Sequence, residues 1–373
     1  MDRNISPPPF KRRKTAQMSS SSAATQPIPV LSPPDDPKTI RIFSWNINGI
    51  TPFLQKPITN FFQQSDPSKI VIPPASLRGF LQRHHWPHVF FLQEVKIASS
   101  DAKTQDAVRI AVNIPLPSEN LLEERQGPKY DVHFTLPRDH YNARGFRGNG
   151  KVYGVCSIIR SDFAASHVSK VRTVDWDQEG RVSVTEISSP IKLALFNIYA
   201  VNGTENPYRD PETGVVVGTR HDRKLAFHKL LMEECLRMER EGQRVFLAGD
   251  FNVAPDARDG FPKLRTFPQQ HALNRADFNK KFFAKTVEDG EGMEGVDIWR
   301  EMHGDERKYS YFPRSREWGS SCDRVDYVIA GKTVWDAGLV KACGILDSEG
   351  ERGPSDHVPI WVELVNEKME VVC

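Results

Sequence analysis

Asp250 and Asn252 stand two apart in Arg244-Val245-Phe246-Leu247-Ala248-Gly249-Asp250-Phe251-Asn252, so in extended chain both side chains point the same way. A carboxylate beside an amide can hold an attacking water and a phosphate oxygen together, which neither group does alone. Val245, Phe246 and Leu247 form a short continuous apolar run, the pattern of a strand buried on both faces, and Gly249 would let the chain turn tightly where that strand ends. An Asx-rich turn after a buried strand would read the same way.

Repetition favours chemistry over a chance turn. The predicted strand Thr39 to Trp45 ends in Trp45-Asn46-Ile47-Asn48-Gly49, and Val89 to Leu92 closes on Gln93-Glu94-Val95-Lys96. Ile191 to Tyr199 ends in Tyr199-Ala200-Val201-Asn202-Gly203, and Asp326 and Asp356-His357 lie beside two further strands near the C-terminus. Asn46, Asn48, Glu94, Tyr199, Asp250, Asn252, Asp326, Asp356 and His357 therefore all belong to strand edges. Acidic and amide oxygens with one histidine and no cysteine suit a hard divalent cation, magnesium first and manganese as the alternative, and phosphate-ester chemistry. Taken singly, each of these residues has a plainer reading, such as a Glu94–Lys96 ion pair or Asp326 bound to Arg324.

The elements that must position these groups follow from periodicity. Short strands are expected at Tyr153 to Arg160, Arg181 to Ile187, Ile191 to Tyr199 and Ile360 to Leu364, and short helices around Leu77 to His84 and His271 to Ala284. From Arg220 to Glu241 the period is helical, with Phe227, Leu230, Leu231, Cys235 and Met238 on one face, and Gly242 ends the run. Residues 99 to 151 read as loop-rich. Two runs of strands, one in each half, suit two packed sheets.

The chain has 373 residues and 39% apolar content, enough to bury a sizeable core as one domain. No apolar run approaches the ~20 residues that span a bilayer, so no membrane partner is expected and the protein should be soluble and intracellular. Five scattered cysteines without a C-x-x-C pair argue against disulfides and structural zinc. Residues 1–38 are rich in Pro and Ser and should be disordered; within them Lys11-Arg12-Arg13-Lys14 has the form of a nuclear import signal. Net charge is +2, so bulk charge announces no polyanion. A local basic stretch differs: Arg144, Arg147 and Lys151, among glycines and aromatics, suit a phosphate backbone with stacked bases, or simply a solvated loop.

Together Ser44-Trp45-Asn46-Ile47-Asn48-Gly49, Leu92-Gln93-Glu94-Val95-Lys96, Gly249-Asp250-Phe251-Asn252-Val253, Arg324-Val325-Asp326-Tyr327 and Ser355-Asp356-His357-Val358-Pro359 resemble, in order, the motifs of the endonuclease/exonuclease/phosphatase (DNase I-like) superfamily. Asp177 to Val182 and Tyr309-Ser310-Tyr311-Phe312 make the resemblance closest to the exonuclease III-like apurinic/apyrimidinic endonucleases. It covers roughly residues 39 to 366.

The resemblance implies an α/β fold, a four-layer α/β sandwich of two packed mixed β-sheets flanked by helices, in a catalytic domain spanning 39–373. It implies a magnesium-dependent phosphodiesterase acting on duplex, damaged or nicked DNA as a monomer, cutting at abasic sites or trimming 3′ ends in base excision repair, and the basic run at Lys11 to Lys14 adds the nucleus as its expected location. Glu94 is then the main metal ligand, with Asn48 and Asp356 close by; Asp250, Asn252 and His357 complete the candidate ligand set. Tyr199, Asp250, Asn252, Asp326 and His357 are the candidate catalytic groups, Asp250 for the water and Asp326 to fix the ring of His357. Asn46, Arg144, Arg147, Lys151, Arg181, Asn202 and Tyr311 are the candidate substrate contacts. Departures fall on Asn48, where an aspartate is usual, on Pro87-His88, on Ile50-Thr51-Pro52, and on Asp323, where an aromatic often walls the abasic-sugar pocket. Alternatives within the same fold are tyrosyl-DNA end processing, RNA deadenylation or phosphoinositide hydrolysis; outside it stands a non-catalytic nucleic-acid-binding scaffold.

Overall fold

The computed structural model describes residues 38–54, 75–116, 119, 126–143, 153–285 and 292–365. The proposed tail with Lys11 to Lys14, and Arg144, Arg147 and Lys151, lie outside them.

Two six-stranded mixed sheets face each other. Across the first run Val340–Ile345, Ile360–Val365, Thr39–Asn46, Val89–Gln93, Val155–Arg160 and Tyr130–Thr135; across the second run Val296–Asp297, Asp326–Ala330, Arg244–Asp250, Leu193–Tyr199, Val182–Ile187 and Val168–Thr173. Strand alternation assigns the faces. Ile40, Ile42, Val89, Phe91, Leu193, Leu195, Phe246, Ala248, Ile360 and Val362 pack between the sheets. Phe43, Trp45, Phe90 and Leu92 point outward onto the helices Leu77–Arg83 and Ala102–Asn113. On the far side Phe227, Leu231, Cys235 and Met238 of the helix Arg220–Arg240, with Phe278 and Phe282 of Gln270–Phe282, cover Val245 and Leu247. The result is the four-layer sandwich expected.

Several elements depart from the sequence reading. The stretch expected to be loop-rich contains the Ala102–Asn113 helix and the Tyr130–Thr135 edge strand. That helix buries only Val108 and Val112, too narrow a stripe to stand out. Gly249 does not turn the chain: it lies inside its strand opposite Ile198, where a Cβ would come within 1.9 Å of the Ile198 carbonyl oxygen. Close backbone approach, rather than a bend, demands glycine there. Cys156, Cys235, Cys322 and Cys343 are free and buried. No helix among the described residues is long and apolar enough to cross a membrane.

Toward one end of the sandwich the space between the sheets turns polar. The Gln93 side-chain amide donates to Ser44 Oγ (2.9 Å) and Asn197 Oδ1 (2.8 Å), and the Asn197 amide donates to the Cys156 carbonyl (3.1 Å). These groups are fully buried and bonded to one another, so they tie the two sheets together beneath the strand ends.

Candidate active site

Register brings the strand-end residues level. Asp250 pairs with Tyr199 on one side and with Asp326 on the other, and Asn46 pairs with Gln93 across the facing sheet. Three residues far apart in sequence thus share one sheet edge. The same end carries unusual backbone: Asn48, Glu94, Lys96 and Asn252, with φ of 51° to 54°, are four of the seven non-glycine residues of positive φ among those described. Such conformations concentrate where surrounding contacts hold a site in shape.

Asp326 and His357 form the centre of the arrangement. Asp326 Oδ2 lies 2.8 Å from His357 Nδ1, and the other ring nitrogen faces Asp250 Oδ2 at 3.9 Å. Ser310 Oγ accepts from the Val325 and Asp326 backbone amides, and the Ser355 hydroxyl accepts from the His357 amide while donating to the Asn46 carbonyl. Trp45 Nε1 donates to the His357 carbonyl at 2.9 Å. Arg324 does not compete for Asp326, because it is committed to Asp259 and Asp297. Burial alone would lower the His357 pKa, but the carboxylates of Asp326 and Asp250 outweigh it and hold the ring protonated well above the usual histidine range. Asp250 moves the other way from most paired acids: burial first, and then the charge of Asp326, push its pKa up.

Around that pair the amides are arranged as holders. Asn46 Nδ2 donates to Asp250 Oδ2 (2.9 Å), and the Asn252 backbone donates to Asp250 Oδ1 (2.8 Å). A second group lies beside it. The Asn48 amide donates to Asp356 Oδ1 (2.9 Å), and the Lys96 ammonium contacts Glu94 Oε1 (3.2 Å) and the Asn48 side-chain and main-chain oxygens. Carboxylate and amide oxygens converging on a positive charge are the donors a hard divalent ion takes, so this group fits one. Ligand atoms of Asp250, Asp326 and His357 also lie within 4.8 Å of one another and could hold a metal ion. Asp326 takes Nδ1 of the ring, which leaves Nε2 facing Asp250 on the cavity side. The structure thus divides the candidate ligands into two clusters.

Both clusters open into one cavity of about 300 Å³, also lined by Tyr199, Asn202, Tyr311, Asp323 and Val325. The Tyr311 ring centroid is 5.0 Å from that of His357. Of the candidate substrate contacts, Asn46, Asn202 and Tyr311 reach the cavity.

Arg181 does not, which corrects the sequence reading. It is 1% exposed, ion-paired with Glu179, and donates to the Tyr199 and Ala200 carbonyls (3.1 and 3.2 Å). Arg220 and Arg223 join it on Glu179, so Arg181 positions the strand end instead of meeting substrate. Removing the shared carboxylate would leave Arg181 and Arg220 without a carboxylate partner and Arg223 with Asp177 alone. Glu179→Ala is therefore expected to cost about 3–5 kcal/mol of stability, read as a lower urea midpoint; a change within about 0.5 kcal/mol would mean that the cluster does not hold this edge.

Lys224 was missed by sequence reasoning altogether. It lines the cavity while 2% exposed, donates to the Asn252 carbonyl (2.8 Å), and burial lowers its pKa to about 7 despite the charge of Asp250. A lone lysine on an otherwise ordinary helix carries no local signal.

Residues 43–357 match the Endonuclease/Exonuclease/phosphatase family. No curated protein matches the sequence. Among solved structures, the catalytic domain of Xenopus laevis APE2 superposes with a TM-score of 0.57 at 18% identity, over 87% of this chain and 92% of that one. The AP endonuclease LMAP from Leishmania major gives 0.58 at 17% identity, over 89% and 90%. The 3′ phosphatase NExo from Neisseria, bound to a product DNA hairpin, gives 0.52 at 18% identity, over 87% and 99%. At these identities the likeness establishes the fold.

Proposed function

The chain belongs to the endonuclease/exonuclease/phosphatase family, and from that premise we propose that it is a metal-dependent phosphodiesterase that cuts the DNA backbone at abasic sites or trims 3′ ends. The observation that carries this reading is the buried His357 ring, bound to Asp326 at 2.8 Å and facing Asp250 at 3.9 Å, in a cavity that also presents the Glu94 oxygens. Asn46, Asn252 and Tyr199 hold the scissile phosphate. Asp250 takes a proton from the attacking water, the stronger base for its raised pKa. His357 donates to a phosphoryl oxygen as negative charge builds there, and Asp326 keeps the ring oriented and charged. Glu94, with Asn48 and Asp356, would hold Mg2+, or Mn2+ in its place, which supplies positive charge to the phosphate.

Asp323 bears on substrate choice. It stands with Tyr311 and Val325 in the cavity wall, and burial raises its pKa. A carboxyl there offers none of the apolar packing that an aromatic wall would give the sugar face, so trimming of 3′ ends is expected to exceed abasic-site cleavage. The catalytic unit is taken as 39–373, acting as a monomer on duplex, damaged or nicked DNA. Lys11 to Lys14 would direct it to the nucleus for repair.

The test is turnover with Mg2+ on defined duplexes that are abasic, nicked, 3′-phosphorylated or intact. Cleavage of at least one, abolished by chelation, is expected; turnover of poly(A) or phosphoinositides instead would replace the reading with another phosphoesterase of the same fold. Glu94→Gln is expected to lose most activity at ordinary Mg2+ and to regain part of it at high Mg2+, because a neutral amide binds a hard cation more weakly. Unchanged rates in that variant would remove Glu94 from the metal site.

A further inference from the structure

One wall of the cavity carries positive charge that the hydrolytic centre does not use. Lys224 comes from the first turns of the Arg220–Arg240 helix, His271 and Arg275 from the first turns of Gln270–Phe282, and Arg265 from the loop before it; all four line the cavity. Both helices therefore bring cationic side chains of their first turns to the same wall. His271 is held below the ordinary histidine range by burial and by the charges of Arg265, His221, Lys224 and Arg275, which places these groups in one another's field.

Little offsets that repulsion. Among the described residues buried Lys224 bonds the Asn252 carbonyl alone, while Arg275 bonds the Ala254 and Arg265 carbonyls at 2.6 and 2.7 Å. Among the described residues neither forms an ion pair, and Arg265 meets Asp323 only at 3.6 Å. Carbonyl dipoles orient a cation but do not neutralise it. A desolvated ammonium with no carboxylate in direct contact costs stability, which the nearby charge of Asp250 offsets only in part, and a bound anion would offset more of it. The scissile phosphate is accounted for by Asn46, Asn252 and His357, so a second anion is needed.

We propose that this wall is a second phosphate subsite, which takes the backbone phosphate adjacent to the scissile one on the same strand. The inference rests on the reading that the substrate is a nucleic-acid strand, whose next negative charge lies one nucleotide away. Arg275 and Arg265 supply the fixed charge, Arg265 from the exposed side, and Lys224 adds its own when a bound phosphate favours the ammonium form. The enzyme then measures two consecutive phosphates and discriminates against small phosphoesters that carry one.

The test uses oligonucleotides in which a single link is replaced by neutral methylphosphonate, scanned two positions to each side of the cut. With the wild-type protein, one flanking position is expected to lower kcat/KM about tenfold or more, the scale of one charge-assisted contact. In Lys224→Met, and in the exposed Arg265→Ala, which should fold normally, the same neutral link should cost less than about threefold, because the partner charge is already gone. A wild-type enzyme that cuts the unmodified strand but ignores every neutral link overturns the subsite, as do variants that lose as much as wild type. Failure to cut any strand sinks the phosphodiesterase reading itself, and the subsite with it.

Discussion

Asp250→Asn is expected to lower turnover by roughly a hundredfold to ten-thousandfold, the range that a positioned general base contributes. The amide keeps the size of the carboxylate and can still accept from the Asn252 backbone, so the substitution removes basicity with little change of shape. The acid limb of the pH profile should vanish with it, since in the wild type activity rises with pH as Asp250 ionises through its raised pKa. Stability should move the opposite way. Between the ordinary carboxylate value, ~4, and the raised one, the folded state binds more protons than the unfolded state. The ionised group therefore costs stability as pH rises through that window, and the cost is relieved as pH falls. The variant should melt at or above the wild-type temperature near neutrality, the pattern of a group kept for chemistry at the expense of stability. Near-wild-type rates, or a fall of several degrees in melting temperature, would show that Asp250 serves to hold Asn46 and Asn252 and not to move a proton.

His357→Ala should cost on the order of a hundredfold to a thousandfold in turnover, because it deletes a donor aimed at developing negative charge. Asp326→Asn should cost less and act through the ring. Its amide can stay beside His357 Nδ1, 2.8 Å away in the wild type, but the charge that outweighs burial is gone, so the histidine pKa falls. Activity is lost where the ring deprotonates, so the alkaline limb moves to lower pH. The linked stability has the same sign: it is fully present below the unfolded histidine value, ~6.5, and lost as pH rises through the raised folded value. The double variant should be scarcely worse than His357→Ala, since the two act as one unit. Rate profiles across pH for both single variants and the double decide the matter. Multiplicative losses, or an Asp326→Asn limb displaced to higher pH, would separate the two residues.

Much of the hydrolytic centre was legible in the chain, because each part is a local pattern: an apolar strand that ends in Asn, Glu or Asp announces both the element and the group delivered at its edge. Three such ends, at Asn46, Glu94 and Asp250, together with Asp326 and His357 at or before the starts of two later strands, also carried the family and the four-layer architecture. What the strands could not announce was register. Only the pairing of Asp250 with Tyr199 and Asp326 brings residues separated by more than a hundred positions to one level, and only the packing of the sheets sets the His357 ring between two carboxylates. Arg181 shows the limit from the other side. Its motif looked like substrate contact, yet partners 41 to 44 residues beyond Glu179, Arg220 and Arg223, bury it in a network of opposite charges. The cationic wall was equally silent in sequence, since Lys224, Arg265, His271 and Arg275 look like ordinary surface residues until two helix ends and a loop converge. Sequence determined which chemical groups stand at strand ends, because that depends on neighbours along the chain; tertiary structure alone decided which charges face each other, because field and desolvation depend on distance through space.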